Sequence, residues 1–256
     1  MALQDPRYAD NALTANSTSH EIEAGSVNLS EEHLTEQPES GNKFQPDSDI
    51  TTSIRNVIDF TLYQPVFNTP ALLTNFKVNW KEYDANGVAP STGIIKTFTK
   101  GTIIPVSFNA EKGSLAKFAK KVYSLFNAGN SITDSSGIDT PATVTDPYKL
   151  NSVTIGGTAV KSVRSASGNY NHSVEWPPEL EPEEVWVSKS PVSGSITTDD
   201  LSEATVERLT TGEVADIVVG FVSDSGSTTN LTFTNCSIRA TINGSQVTLD
   251  WKKLTD

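Results

Sequence analysis

From about Ile50 onward the chain alternates apolar and polar residues in short runs. SIRNVIDFTLYQP (Ser53–Pro65) puts Ile54, Ile58, Phe60 and Leu62 mostly on one parity, which predicts a strand ended by Pro65. ALLTNFKVNWKEYD (Ala71–Asp84) alternates through Leu72, Thr74, Phe76 and Val78, continues with Trp80 or Lys81, and then meets Asn86-Gly87, a turn signal. GIIKTFTKGTIIPVSFNA (Gly93–Ala110) divides into two short runs around Lys100-Gly101. Together these segments predict a meander of three or four strands.

The next stretch carries a different period. In SLAKFAKKVYSLFNAG, Ser114 suits an N-cap and Gly129 a C′ stop. Leu115, Phe118, Ala119, Val122, Leu125 and Phe126 recur at helical spacing, predicting one amphipathic helix over about residues 114–128. Lys112, Lys117, Lys120 and Lys121 make its start and polar face basic. Such a face is either simply solvated or a contact for an acidic surface, such as an arm of a neighbouring subunit.

Residues 130–149 (NSITDSSGIDTPATVTDPYK) form a polar stretch that predicts a loop or linker, with a domain boundary placed there. Beyond it, SVTIGGTAVKSV sets Gly156-Gly157 between strand formers, and a two-residue turn pairs Ile155 with Thr158 and Val153 with Val160. In NCSIRATINGSQVTLDWKKL, Asn243-Gly244 as the turn pairs Ala240 with Val247, Ile238 with Leu249 and Cys236 with Trp251, all on one face. Leu231 and Phe233 have the opposite parity, which a bulge near Thr234–Asn235 corrects. EVADIVVGFVS (Glu213–Ser223) predicts a buried strand and DDLSEATVERL (Asp199–Leu209) one short helix.

Residues 1–49 differ from the rest. No Lys or Arg occurs between Arg7 and Lys43, while Asp10, Glu21, Glu23, Glu31, Glu32, Glu36 and Glu39 add negative charge. Leu13, Ile22, Val27, Leu29 and Leu34 stand singly among polar residues, too sparse to offset the entropy of ordering. The segment is therefore expected to be an extended acidic arm that orders only on a partner. On that basis, deleting residues 2–45 would leave a folded monomer that no longer assembles.

Composition narrows the function classes. The 256 residues carry a net charge of −12, which argues against the dense Lys/Arg stripe of a nucleic-acid groove. A lone cysteine, Cys236, excludes a disulfide framework or a cysteine-rich metal cluster, and is expected to be a small core residue beside Trp251. No apolar run approaches the roughly 18 residues of a membrane helix, and MALQDPRYAD lacks the pattern of a secretory leader, so a soluble chain is expected.

Catalytic chemistry finds no foothold. His20 and His33 lie in the arm and His172 in a loop-like stretch, none beside a nucleophile. EWPPELEPEEVWV (Glu175–Val187) mixes five glutamates with Trp176 and Trp186, but its prolines favour an extended edge segment over a cleft. The two tryptophans are either packed residues or a sugar-stacking platform. Asp134–Asp139 surrounds a glycine with oxygen donors but lacks the alternating acids of a calcium loop. No cofactor is expected.

The fold expected is mainly β, an antiparallel sandwich or barrel-like domain with one amphipathic helix and an extended N-terminal arm. The divisions are 1–49, 50–129, 130–149 and 150–256, or one continuous domain 50–256. With its arm LTANSTSHEIEAGSVNLSEEHLTEQPES, its lone helix SLAKFAKKVYSLFNAG and its terminal hairpin RATINGSQVTLDW, the chain resembles structural proteins of tailed-phage virions, of tail-tube, decoration or neck and baseplate type. The resemblance implies a non-enzymatic virion subunit, assembled in a host cytoplasm and binding other copies of itself and neighbouring virion proteins. Neither a sequence-specific nucleic-acid contact nor a membrane contact is implied. The residues proposed to meet partners are Lys112, Lys117, Lys120 and Lys121 as acceptors and Glu31 and Glu32 on the arm. The alternative is a carbohydrate-binding β-sandwich that uses Trp176 and Trp186.

Overall fold

A computed structural model describes residues 7–15, 18–23, 25–36, 50–83, 93–126, 132–136, 144–188 and 191–254. In chain order the strands are β1 (Arg7–Ala15), β2 (Thr18–Ile22), β3 (Asn28–Glu36), β4 (Ile50–Leu62), β5 (Ala71–Tyr83), β6 (Gly93–Glu111), β7 (Lys117–Leu125), β8 (Ile132–Ser136) and β9 (Val144–Thr145). They continue with β10 (Tyr148–Ile155), β11 (Thr158–Ala159), β12 (Val163–Asn169), β13 (Ser173–Glu175), β14 (Trp186–Ser188), β15 (Ser193–Thr198), β16 (Glu213–Ser223), β17 (Thr228–Asn243) and β18 (Gln246–Lys253). A 3-10 turn (Leu201–Glu203) and a short helix, α1 (Val206–Thr210), separate β15 from β16. The protein is mainly β, and among the described strands every pairing is antiparallel except that of β2 with β9.

Sixteen strands belong to one sheet, and β13 pairs with β14 apart from it. The sheet curls back on itself through β6-β5-β1-β2-β4-β7-β6, a barrel-like ring closed between β2 and β4 by the single pair Ile22–Leu62. Its interior holds Leu13, Ile58, Leu62, Val78, Val122 and the stacked rings of Phe76 and Phe98, 4.6 Å apart. From β6 the sheet then runs outward through β12, β15, β18, β17, β16 and β10. That half encloses Phe108, Phe118, Phe221, Phe233 and Trp251, continuous with the ring interior.

Strand β6 joins the halves because its 19 residues serve different neighbours along their length. One edge pairs with β5 over 93–103 and with β12 over 107–111, while the other pairs with β8 and then β7. Pro105, which cannot donate to a ladder, sits at the bulge where these partners change. The expected break at Lys100-Gly101 does not occur. Gly101 is buried in mid-strand because a Cβ there would lie 2.8 Å from the Phe76 ring.

The helix expected over 114–128 is a strand. Its burial alternates, with Phe118, Lys120, Val122 and Ser124 inward and Lys117 and Lys121 outward. Two inward positions are polar, so the period of two was hidden, and a helical stripe could be drawn through the apolar residues that remained. Pairing with β4 on one edge and β6 on the other overrides helix propensity. The 130–149 segment likewise contributes β8 and β9 to the sheet.

The N-terminal segment is extended, but its strands at 7–15, 18–22 and 28–36 lie on their own chain rather than on a partner. β1 pairs with β5 and β2, and β3 with β4. Leu13, Ala15 and Ile22 are at most 2% exposed in the ring core. Deleting residues 2–45 would therefore remove three strands, not a detachable strap.

The hairpins show how face and register separate. Gly156 and Gly157 both have positive φ, and Ile155 faces Thr158 as the turn chemistry required. In the β17–β18 hairpin the turn is Gly244-Ser245, giving Ala240–Leu249 and Ile238–Trp251, two residues away from the Asn243-Gly244 register. Only Gly244 takes the left-handed conformation, at φ +63, and a slip of two keeps every side chain on its face. The bulge expected at Thr234–Asn235 is present: Asn235 has φ +55 and its N–H donates to Asp216 Oδ1 at 2.8 Å.

Gly194 in β15 lies under Trp251, whose ring carbons would come within 2.6 Å of an added Cβ, with the Ser167 carbonyl closer still. The nearer obstacle is backbone and cannot swing away. Gly194→Ala should therefore destabilise the protein by about 2 kcal/mol or more, measured as a lower urea midpoint at unchanged m-value.

Candidate functional site

Lysines 117 and 121 stand on the outward face of β7, as its two-residue period requires. Lys117 is ion-paired with Glu23, a residue of the acidic N-terminal segment. The hydrogen bond and charge of that carboxylate raise the ammonium above its ordinary range. Lys121 Nζ lies 3.3 Å from Asp59 of β4. Acid from the arm thus meets the basic strand within one chain. Both pairs are solvent-exposed, so each contributes about 1 kcal/mol at most.

Toward the other end of β7, Tyr123 meets Trp176 edge to face at 5.6 Å, and the Arg55 guanidinium lies 5.9 Å from the Trp176 ring centroid. The hydrogen bonds Phe126 N–H to Pro182 O and Lys100 Nζ to Glu183 O hold the proline-rich 177–185 excursion against this region. Trp176 is therefore a packing residue, half-buried and flanked by aromatic and cationic partners. Trp186 is 52% exposed, with Nε1 donating to Glu184. The two tryptophans thus differ in exposure and in partners.

Beyond β4 lies β3, an end of the sheet among the described strands. Glu31 and Glu32 are both exposed on it, opposite Asn56 and Arg55 in register. Among the described residues its outer edge has no strand partner, which leaves a row of backbone groups of the kind that another strand can take. Lys112 sits elsewhere, in the turn after β6, with Nζ 3.4 Å from Asn151 O. It borders an open polar pocket of about 330 Å³ lined also by Glu111, Arg164, Ser165, Thr197 and Gln246. Arg164 there is already held by Asp199.

The chain matches no protein-family model and no curated protein. Among the described residues no helix is long and apolar enough to cross a membrane, and no cluster of three metal-ligating side chains occurs. Asp139 of the acidic loop lies outside the described residues. Cys236 is buried, its thiol pushed up to about 11 mainly by burial, which suits packing rather than nucleophilic chemistry.

Sequence reasoning misplaced Lys120. Its side chain points inward between the two halves of the core and is 2% exposed. Nζ donates to the Phe67 carbonyl at 3.1 Å and to Asn68 Oδ1 at 3.3 Å, and lies 5.9 Å from the Phe118 ring centroid. Phe67 has φ +52, a left-handed conformation that a bulky residue rarely takes, and its ring meets buried His20 edge-on. The amine thus fixes the connection between β4 and β5, and among the described residues no carboxylate is a hydrogen-bond partner. Burial pushes its pKa down to about 7.

Folding then releases a proton from Lys120 when the pH lies between about 7 and the ordinary 10.5. The unfolded chain binds more protons in that window, so stability rises with pH across it and is lost as pH falls toward 7. His20, lowered from 6.5 by burial, acts in the same direction at lower pH. Lys120→Met removes the buried charge at the loss of two hydrogen bonds. The variant should melt higher than the parent at pH 6 and gain little or nothing at pH 10, as measured by calorimetry. An equal gain at both values would mean that the amine is not desolvated.

Proposed function

We propose that this chain is a non-enzymatic structural subunit of a virus-like assembly of the tailed-phage type, residing in the virion and associating with further copies of itself. The observation that carries this reading is the outer edge of β3, unpaired among the described strands, which belongs to the N-terminal segment. Edge pairing supplies backbone hydrogen bonds to a partner without a preformed pocket. Glu32, exposed on this strand, disfavours β3 against β3 and favours a basic strand as the matching partner. The strand-rich architecture, continuous across both halves, suits a building block that carries load between neighbours.

Native mass spectrometry and negative-stain imaging of the purified chain should show rings, tubes or larger particles. Glu32→Lys should weaken self-association severalfold, read by sedimentation velocity. A strictly monomeric chain at all accessible concentrations would remove the proposal.

One observation favours a second reading, carbohydrate binding: the exposed indole of Trp186 beside Glu184 has the apolar face and polar rim that a sugar ring requires. On this reading a monomeric chain binds glycans on an array, and Trp186→Ala abolishes the signal while Trp176→Ala lowers stability. Equal glycan binding by the Trp186 variant would exclude it.

A further inference from the structure

The tip of the β17–β18 hairpin holds a reactive dipeptide. Asn243 ends β17, Gly244 opens the turn with φ +63, and residues 241–245 are all exposed. Asn243 and Gln246 form the terminal rung of the ladder, so the Gly244 N–H lies in the turn, and among the described residues it has no backbone acceptor. An asparagine carboxamide can close a five-membered ring with the backbone nitrogen that follows it. A side chain on the following residue obstructs that approach, and glycine carries none. Both reacting groups belong to one dipeptide, so no encounter has to be paid for in entropy.

Ring closure requires rotation of the backbone at Asn243. In mid-strand such a rotation breaks ladder bonds on either side, whereas here it opens only the last rung, and the ends of elements open at low free energy. The next pair inward is Ile242–Val247, whose Val247 is fully buried and holds the remainder of the hairpin. Other exposed asparagines are placed differently. Asn235 donates its own N–H to Asp216 and precedes the fully buried Cys236. Asn230 faces Gly220 within the ladder and precedes buried Leu231. Asn169 is followed by Tyr170, whose N–H is held by the Val106 carbonyl.

We propose that Asn243 is a site of spontaneous deamidation assisted by the Gly244 backbone, which turns a neutral hairpin tip into an acidic one. The Gly244 nitrogen attacks Cγ of Asn243. A bond from that nitrogen to Cγ forms, the Cγ–Nδ2 bond breaks, and Nδ2 leaves as ammonia with the proton that Gly244 gives up. Water then opens the succinimide at either carbonyl. One product is aspartate; the other is isoaspartate, in which the main chain runs through the former side chain and gains a methylene. Either product adds one negative charge to a chain that already carries −12. The added methylene lies beyond Val247, so the core of the hairpin is kept. This chemistry is independent of how the chain assembles.

The full-length chain is held for several weeks in mildly alkaline buffer at physiological temperature, then digested and sequenced by electron-transfer mass spectrometry, which separates aspartate from isoaspartate. The readout is site by site because Asn86-Gly87, outside the described residues, has the same dipeptide. Asn243 should convert at least tenfold faster than Asn151, Asn171 or Asn230, with isoaspartate among the products and an unchanged far-UV circular dichroism spectrum. In an Asn86→Gln background, ion exchange should show a more acidic species accumulating with time. Adding Asn243→Gln, whose ring would be six-membered and slower to close, should suppress it. Conversion of Asn243 no faster than that of the other three asparagines overturns the inference. So does conversion to aspartate without isoaspartate, or conversion in the urea-unfolded chain but not in the native one.

Discussion

The extended conformation of residues 117–125 is the constraint on which the rest of this fold depends. Only a period of two can send Phe118 into the outer half of the core, Val122 into the ring and Lys120 between them. Only an extended backbone can offer one edge to β4 and the other to β6, which closes the ring. Were this segment coiled, β4 and β6 would lose their common neighbour. The ring would then stand open between β4 and β6, with β4 tied to β2 by little beyond Ile22 against Leu62. A helix of the same sequence would also bring its lysines toward one side, whereas the strand separates Lys120 from Lys117 and Lys121.

That separation has an energetic consequence. A buried ammonium with two neutral oxygen acceptors is a poor stabiliser, because desolvation of the charge outweighs two hydrogen bonds. Its retention at the junction is understandable from what it fixes: the carbonyl of Phe67, a residue that would not otherwise hold a left-handed backbone. The same connection is tied at Tyr63, whose carbonyl accepts the Tyr148 N–H, so the end of the ring and the start of the outer half share one anchor. An apolar side chain at 120 would serve the core better and the connection worse.

The fold was legible where turn chemistry and face pattern reinforced each other. Gly156-Gly157 set its hairpin to the residue, Glu213–Ser223 was recognised over its whole length, and a lone bulge was placed at Asn235 from a change of parity. At Gly244 the face was right and the register two residues off, because a period of two cannot distinguish slips that preserve it. β7 was illegible for a specific reason: Lys120 and Ser124 occupy inward positions, and no local pattern announces a polar residue satisfied by a carbonyl 53 positions away. The candidate site was less legible still. Lys117 and Lys121 do meet acid, but in their own chain, and Trp176 is engaged by Tyr123 and Arg55. The polarity of α1, which buries Arg208 and exposes Val206 and Leu209, was beyond reach, since these residues look like any short amphipathic turn until their burial is known.

The acidic N-terminal segment shows why composition misjudges order. Its large apolar residues are few, and a rule that asks whether the segment can collapse by itself finds them insufficient. The rule omits what already exists elsewhere in the chain. β5 presents an unpaired edge, and the ring interior needs filling at only a few points. Leu13, Ala15 and Ile22 supply those points, and the ladders to β5 and β4 satisfy the backbone. Ordering entropy is offset by hydrogen bonds and by burial of a few side chains against a surface organised by other residues, so sparse hydrophobicity suffices.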